Sequence, residues 1–238
     1  MFSSGTLQIS GITIRNNSST FDGGGIHVDG GVARIGRSTI AANQAQRNGG
    51  GISVSGGDVI LFESTVGGET TAEGNRAGQF TADGTQGLGG GAFVRSNVGA
   101  RFEMFGGTIG SNIARISGGG IATLASDRPE GIPDSRSVVF QLGVNVTANR
   151  ALAADGGGIY NGGAHLELRD SVFAENTARN GAGIFAESGS SINLLGSEIR
   201  QNVARRTGGG IFDRGVLRLI ESDVSDNQAT FHTNIFEA

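Results

Sequence analysis

Short stretches of alternating apolar and polar residues recur along the whole chain, separated by glycine-rich and asparagine-containing segments. Ile26-His27-Val28 and Leu166-Glu167-Leu168 are examples of this alternation. A period of two residues indicates β-strands with one buried face. Each repeat contains three such stretches: strand A after a glycine run, strand B in the next apolar run, and strand C in a Ser-x-apolar segment. The pattern therefore predicts short strands joined by tight turns.

A glycine run precedes each strand A and ends in an apolar residue. It reads GGGI at residues 23–26, 49–52, 118–121, 156–159 and 208–211, with variants at 89–92 and 181–184. Glycine permits a positive φ and leaves no Cβ to crowd a neighbouring turn. We therefore expect a tight bend at the same place in every repeat.

A second corner, of the form [I/V/F]-x-x-N-x-A, follows each strand C. It occurs at residues 40–45, 109–114, 146–151, 173–178, 199–204 and 224–229. A looser copy lies at residues 14–19, and an insertion after Val66 delays the asparagine of another copy to Asn75. Stacked asparagines can bond their amides up and down a column and so satisfy the backbone of the turn.

The repeat length indicates how these strands are arranged. Uninterrupted repeats have about 26 residues, and the strand B and strand C apolar positions keep a constant offset of five, so that like residues stack at about 4.8 Å. The predicted fold is all-β: a single-stranded right-handed parallel β-helix, a three-sided solenoid of about eight coils. We expect residues 1–238 to form one β-helix domain, excised from a longer chain.

Composition removes several classes of chemistry. All 18 basic residues are arginine and there is no cysteine, so lysine-based catalysis, disulfides and cysteine-bound metals are excluded. The net charge of −4 gives no strong attraction to nucleic acid, and no apolar run is long enough for direct membrane insertion. We expect no metal and no cofactor, and we find no secretory signal in this segment.

The GGGI and [I/V/F]-x-x-N repeats resemble those of bacterial surface β-helices with a pectin-lyase-like fold. These include the chlamydial polymorphic outer-membrane protein repeats and the right-handed parallel β-helix repeat proteins with cell-surface anchors. The resemblance covers about residues 12–236. It implies an extracellular or cell-surface location in a bacterium and an adhesive or structural role.

No set of residues in the sequence converges into a catalytic site. Glu198 and Asp223 align on strand C one coil apart, and Arg200 on the same face can neutralise them, so that we expect a solvated polar face there. Calcium binding at that edge is the alternative. The three histidines, His27, His165 and His232, are far apart in coil order, so that the sequence does not reveal a Ser-His-Asp arrangement.

An aromatic stripe is the first candidate binding feature. The residue after the GGGI-type corner is aromatic in five repeats: Phe93, Tyr160, Phe185, Phe212 and Phe236. If the preceding residue points inward, these rings point outward and offer a contact surface for sugar rings or a partner. The alternatives are that local turns cover the stripe or that the rings face inward.

Insertions are the second candidate. Residues 67–74 and 79–88 lengthen the connection from strand C to strand A, and residues 126–137 lengthen the turn from A to B. They can form two walls over the strand A face near Phe93 and Arg95, although neutral insertions accumulate at such places too. The residues expected to rim this cleft are Asp83, Asp127, Arg128 and Glu130.

These observations favour a non-catalytic extracellular β-helix of a bacterial surface or secreted protein, acting in adhesion or as a structural spacer. The alternatives are a polysaccharide lyase or glycoside hydrolase, or a sugar-binding module, with the site on the strand A face. The expected partners are carbohydrate or another surface protein. Open strand edges at the ends of the stack also favour end-to-end self-association.

Overall fold

A computed structural model describes residues 2–3, 5–78, 86–95, 99–125 and 136–237. Every pair of neighbouring strands among them is parallel, and each coil lies in register on the next. The predicted all-β parallel β-helix is therefore confirmed. Among the described residues strand A occurs nine times and strands B and C eight times, which gives about eight coils.

The strands fall into three columns that follow the predicted repeat. Strand A is formed by Phe2–Ser3, Ala92–Arg95, Ile121–Leu124, Ile159–Gly162, Ile184–Ala186, Ile211–Asp213 and Ile235–Glu237. Strand B is formed by Thr6–Ser10, His165–Arg169, Ser191–Leu195 and Val216–Ile220, and strand C by Thr13–Arg15, Thr39–Ala41, Val172–Ala174, Glu198–Arg200 and Asp223–Ser225. Four longer strands run round the corners between columns: Ile26–Gly36 joins A to B, Ile52–Gly67 spans all three, and Arg101–Gly110 and Arg136–Thr147 join B to C.

A fourth column of short strands, strand D, follows the asparagine corner and was not expected from the sequence. It forms its own seven-stranded sheet from Ser18–Ser19, Gln44–Ala45, Arg76–Ala77, Ile113–Ala114, Arg150–Ala151, Thr177–Asn180 and Val203–Thr207. Most of these strands have only two residues, too few for an alternating pattern to be recognised. Their inward position is the alanine of the asparagine corner, which is buried in the six copies from Ala45 to Ala204.

The interior is one continuous apolar column of stacked side chains. Ile26, Ile52 and Ile121 are fully buried, as are the inward residues of strands B and C such as Leu168 and Phe173. Parallel pairing places like residues above one another, for example Leu168 on Leu194. The strand A isoleucines therefore point inward, as predicted.

The asparagine column forms an unbroken ladder of hydrogen bonds. Its members are Asn17, Asn43, Asn75, Asn112, Asn149, Asn176, Asn202 and Asn227. Each Nδ2 donates to the next Oδ1 at 2.9 to 3.1 Å, and each backbone N–H donates to the same oxygen, at 3.0 Å in Asn112. From Asn43 onward Nδ2 also donates to a strand C carbonyl of the preceding coil, as Asn149 does to Ile109 at 2.8 Å. The insertion before Asn75 leaves the ladder intact.

The glycines of the GGG corner meet two kinds of constraint, a left-handed backbone and the close approach of the next coil. The first has a φ between 53° and 71° in all seven corners, which is the left-handed region. A Cβ on the second would meet the next coil, as at Gly119, where it would stand 2.5 Å from the Gly157 carbonyl oxygen. A Cβ on the third would also meet the next coil, as at Gly120, where it would stand 2.6 Å from the Gly158 carbonyl oxygen and 3.2 Å from the Asn149 side chain of the ladder. Glycine therefore suits the corner both for its left-handed first residue and for the close approach of the next coil, although Ala182 takes the second position in the corner at residues 181–184.

Candidate functional site

The outer side of strand A carries one column of residues in register. In coil order it reads His27, Ser53, Phe93, Ala122, Tyr160, Phe185, Phe212 and Phe236. These side chains lie outside the apolar core, as the alternation predicted. Ala122 separates Phe93 from the other aromatic residues, so the stripe is continuous only from Tyr160 onward.

Most of the aromatic stripe is covered and is not an open contact surface. Phe93, Phe185 and Phe212 expose 0%, 1% and 6% of their surface. The glycine corner lies over this column, because a Cβ on Gly181 would stand 2.9 Å from the Phe185 Cβ. The alternative weighed above, that local turns cover the stripe, is therefore the observed arrangement. Truncating Phe185 or Phe212 would test packing more than binding.

The rings of Tyr160, Phe185 and Phe212 stack on one another along the coil axis, and the ring of Phe236 is tilted against that of Phe212. Their centroids are 5.6 Å apart for Tyr160 and Phe185, 4.8 Å for Phe185 and Phe212, and 4.9 Å for Phe212 and Phe236. Arg214 lies over Phe185 and Phe212, at 5.8 and 5.1 Å from the ring centres. Such stacks add stability beyond the area that they bury.

Tyr160 and Glu187 close one side of this stack. The Tyr160 hydroxyl donates a hydrogen bond to Glu187 Oε1 at 3.3 Å, and Arg214 lies 3.3 Å from Glu187 Oε2. Burial, together with the negative charge of Glu187, raises the pKa of Tyr160 to about 12. The phenol is therefore neutral at physiological pH and serves as a hydrogen-bond donor.

The open part of the strand A face is a polar groove beside the first coils. It has a volume of about 990 Å³, and His27, Asp29 and Arg95 line it together with Asp22 and Arg47. Arg47 Nε lies 4.0 Å from Asp22 Oδ1, which also accepts the Asn48 backbone N–H at 2.8 Å. Arg95 therefore lies in a groove that contains both carboxylates and guanidinium groups.

Asp83, Asp127, Arg128 and Glu130 lie outside the described residues. The insertion at residues 67–74 does not form a wall over strand A as expected, because it folds beside strand C. There Gly68 and Glu73 line a groove of about 380 Å³ with Thr39 and Thr65. The Glu73 carboxylate accepts N–H bonds from Glu69 and Thr70, both at 3.1 Å, and the bonds from Thr70 lower the pKa of Glu73.

The paired acids of strand C lie where the sequence placed them. Glu198 and Asp223 are in register on neighbouring coils. Arg200 Nε lies 3.2 Å from Glu198 Oε2, and the Ser225 hydroxyl donates to Asp223 Oδ2 at 2.6 Å. Each carboxylate therefore has its own local partner. No group of three metal-ligating side chains occurs among the described residues.

A chain of polar side chains on strand B joins His165 to Ser191 and Glu167, which the wide spacing of the three histidines did not indicate. His165 Nδ1 is hydrogen-bonded to Ser191 Oγ, and His165 Nε2 lies 3.5 Å from Glu167 Oε2, whose other oxygen accepts from Arg169 at 3.1 Å. This is the connectivity of a nucleophile, a base and an orienting acid. The Ser191 backbone N–H, however, already donates to the Ala164 carbonyl, so it cannot stabilise an oxyanion. The spacing of 26 residues between His165 and Ser191 equals one coil, and this spacing could have indicated from the sequence that the two residues are neighbours.

Comparisons with models of protein families, with curated proteins and with solved structures find no match. The described residues include no helix that is long and apolar enough to cross a membrane.

Proposed function

We propose that this chain is a non-catalytic β-helix of a bacterial surface or secreted protein, where it acts in adhesion or as a structural spacer outside the cell. The observation that carries the proposal is that each strongly repeated residue has a role in the stack. The asparagines form the ladder, the glycines make room for it, and the apolar residues fill the core. The resemblance of the repeats to those of bacterial surface β-helices supports the same role and location.

The aromatic rings that fill the strand A face also support this proposal. From Tyr160 to Phe212, the outward position of strand A, where a ligand would have to bind, holds a stacked aromatic ring in each coil. A rigid filled face suits a spacer or an adhesive rod better than a site that must admit and release substrate.

Incubation with a panel of uronate polysaccharides tests the proposal against catalysis. We expect no unsaturated products and no new reducing ends from the protein, from Arg95→Ala, or from the control Arg34→Ala on the strand B face. Turnover that persists in Arg34→Ala and is lost in Arg95→Ala would overturn the non-catalytic role.

A second candidate function is sugar binding or cleavage in the groove beside the first coils. The observation that favours it is the presence of Asp22, Asp29, Arg47 and Arg95 in one groove of about 990 Å³. Two carboxylates can serve a hydrolase, and arginine can neutralise a uronate. A glycan array separates this candidate from the first. Hits that disappear in Arg47→Gln/Arg95→Gln would favour it, and an array without hits would remove it.

A further inference from the structure

The outer face of the seven-stranded sheet carries a row of arginines. Alternate residues of strand D point outward, because the alanines between them are buried. Arg76, Arg115, Arg150 and Arg205 lie on this face, and the last three are exposed. Arg76 and Arg150 both pair with Ile113, one from each side, so they stand two strands apart, roughly 9 to 10 Å.

Two grooves on this face run into each other. One has a volume of about 460 Å³ and contains Arg76, Arg115 and Arg150. The other has about 290 Å³ and contains Arg150 and Arg205. Arg150 and Leu152 line both, so the two grooves form one path along the coil axis, which we call the arginine face.

Three arginines of this face, Arg76, Arg150 and Arg205, form no ion pair within the part of the chain that the structure describes. Among the described residues, no acidic side chain lines either groove. Arg76 and Arg205 donate instead to backbone carbonyls, of Thr71 at 3.2 Å and of Leu152 at 2.7 Å. This positive strip lies on a chain whose net charge is −4. Localised charge of the opposite sign to the whole molecule indicates a binding surface.

We infer that the arginine face binds a linear anionic polysaccharide along the axis of the stack. Guanidinium groups bind carboxylate and sulfate through paired hydrogen bonds, and their repeat along a rigid sheet matches a polymer with regularly spaced charges. Leu152 and Val203, which are 45% and 40% exposed, offer apolar contacts for the C–H faces of sugar rings.

The same face fits other anionic polymers less well. Among the described residues, no aromatic side chain lines either groove, so none of them can stack with nucleic acid bases. Two exposed aliphatic side chains are few for insertion into a membrane surface. Binding to nucleic acid and binding to an anionic membrane are therefore the competing outcomes that the test must distinguish.

Binding of defined polymers to the 238-residue protein at physiological ionic strength tests the inference. The probes are dextran sulfate, which carries sulfate, polygalacturonate, which carries carboxylate, and neutral dextran. We expect at least one acidic polymer to bind and neutral dextran not to bind. Arg150→Gln/Arg205→Gln should weaken binding about tenfold or more, because two charged hydrogen-bond donors are lost.

The control Arg34→Gln/Arg218→Gln removes the same charge from exposed positions on strand B. It should leave the affinity within about twofold, since its charges lie on another face. Equal weakening by the two double variants would overturn the inference, as would a lack of binding to both acidic polymers. Duplex DNA, polyglutamate or phosphatidylglycerol vesicles that bind as tightly as the acidic polysaccharides would also overturn it. Thermal melting of both variants verifies that they fold.

This inference rests on the proposed function in one respect: the polymer is bound and not cleaved. Different results would overturn the proposed function and the binding at the arginine face. Shortened polysaccharide would overturn the non-catalytic role whatever the affinity, whereas intact polysaccharide that does not bind would overturn only the arginine face.

Discussion

At the scale of single residues, the ladder asparagines are the most constrained side chains of the stack. Asn149 is fully buried and uses both amide hydrogens and both lone pairs of its oxygen. A buried polar group that loses its partner costs about 1 to 3 kcal/mol. The asparagine column is therefore explained by hydrogen bonding alone and needs no chemical role.

Replacing Asn149 tests this role directly. We expect Asn149→Ala to lower the free energy of unfolding by about 3 to 5 kcal/mol, because the Asn112 amide and the Ile109 carbonyl lose their partner. The measurement is chemical denaturation followed by circular dichroism. Asn193→Ala, at a half-buried outward position of strand B, is the matched control and should change stability by less than about 1 kcal/mol. Similar losses in both variants would contradict the ladder's role.

Tyr160 gives a second test, because the chain has one tyrosine and no tryptophan. Absorbance of tyrosinate should therefore report this residue alone, with a midpoint at about pH 12 in the folded protein. The folded pKa is raised above the unfolded one, which is about 10. The stabilising contribution is complete below pH 10 and is lost as the pH rises toward 12.

Glu187→Gln should move the Tyr160 midpoint toward its ordinary value, because a neighbouring negative charge is removed. The midpoint in urea should be ordinary for both proteins. An ordinary midpoint in the folded wild-type protein would show that Tyr160 is not enclosed by the stack.

At the scale of strands and corners, the repeating pattern of the sequence predicted strands A, B and C. It did not predict the short strand D or the local folding of the glycine corner. Strands A, B and C follow from alternation and from their constant spacing. Strand D was missed because it is short and follows a left-handed corner that carries no glycine in most copies, as at Ala148, with a φ of 55°. The outward direction of the aromatic stripe was predictable, but its burial was not, since it depends on how the glycine corner folds back over Phe185.

The second glycine of the corner gives a prediction at this scale. A Cβ on Gly119 would stand 2.4 Å from the Arg150 nitrogen and 2.5 Å from the Gly157 carbonyl oxygen. We expect Gly119→Ala to destabilise the protein by roughly 2 to 4 kcal/mol, since the backbones of Arg150 and Gly157 must shift to admit the new Cβ. Gly5→Ala, where nothing lies within 4 Å of the new Cβ, should change stability by less than about 0.5 kcal/mol. Thermal unfolding of both variants provides the measurement, and an unchanged Gly119→Ala protein would contradict the close packing of the corners.

At the scale of the whole molecule, the interior is uniform and the outer faces differ. The polar groove, the aromatic stack and the arginine face lie on different sides or at different heights of the same stack. The sequence could place Arg95 on strand A, but the neighbours of Arg150 depend on strand D, which the alternation did not reveal. End-to-end association stays a prediction. Exposed Val216, Leu219 and Ile220 on the last strand B are consistent with it.

The central claim is that this molecule acts through passive contact on its outer faces, above all on the arginine face. One titration with dextran sulfate compares the two candidate faces through Arg150→Gln/Arg205→Gln and Arg47→Gln/Arg95→Gln. We predict about tenfold or greater weakening in the first double variant and an affinity within about twofold of wild type in the second. Weakening confined to Arg47→Gln/Arg95→Gln would contradict the claim and place the contact in the groove beside the first coils.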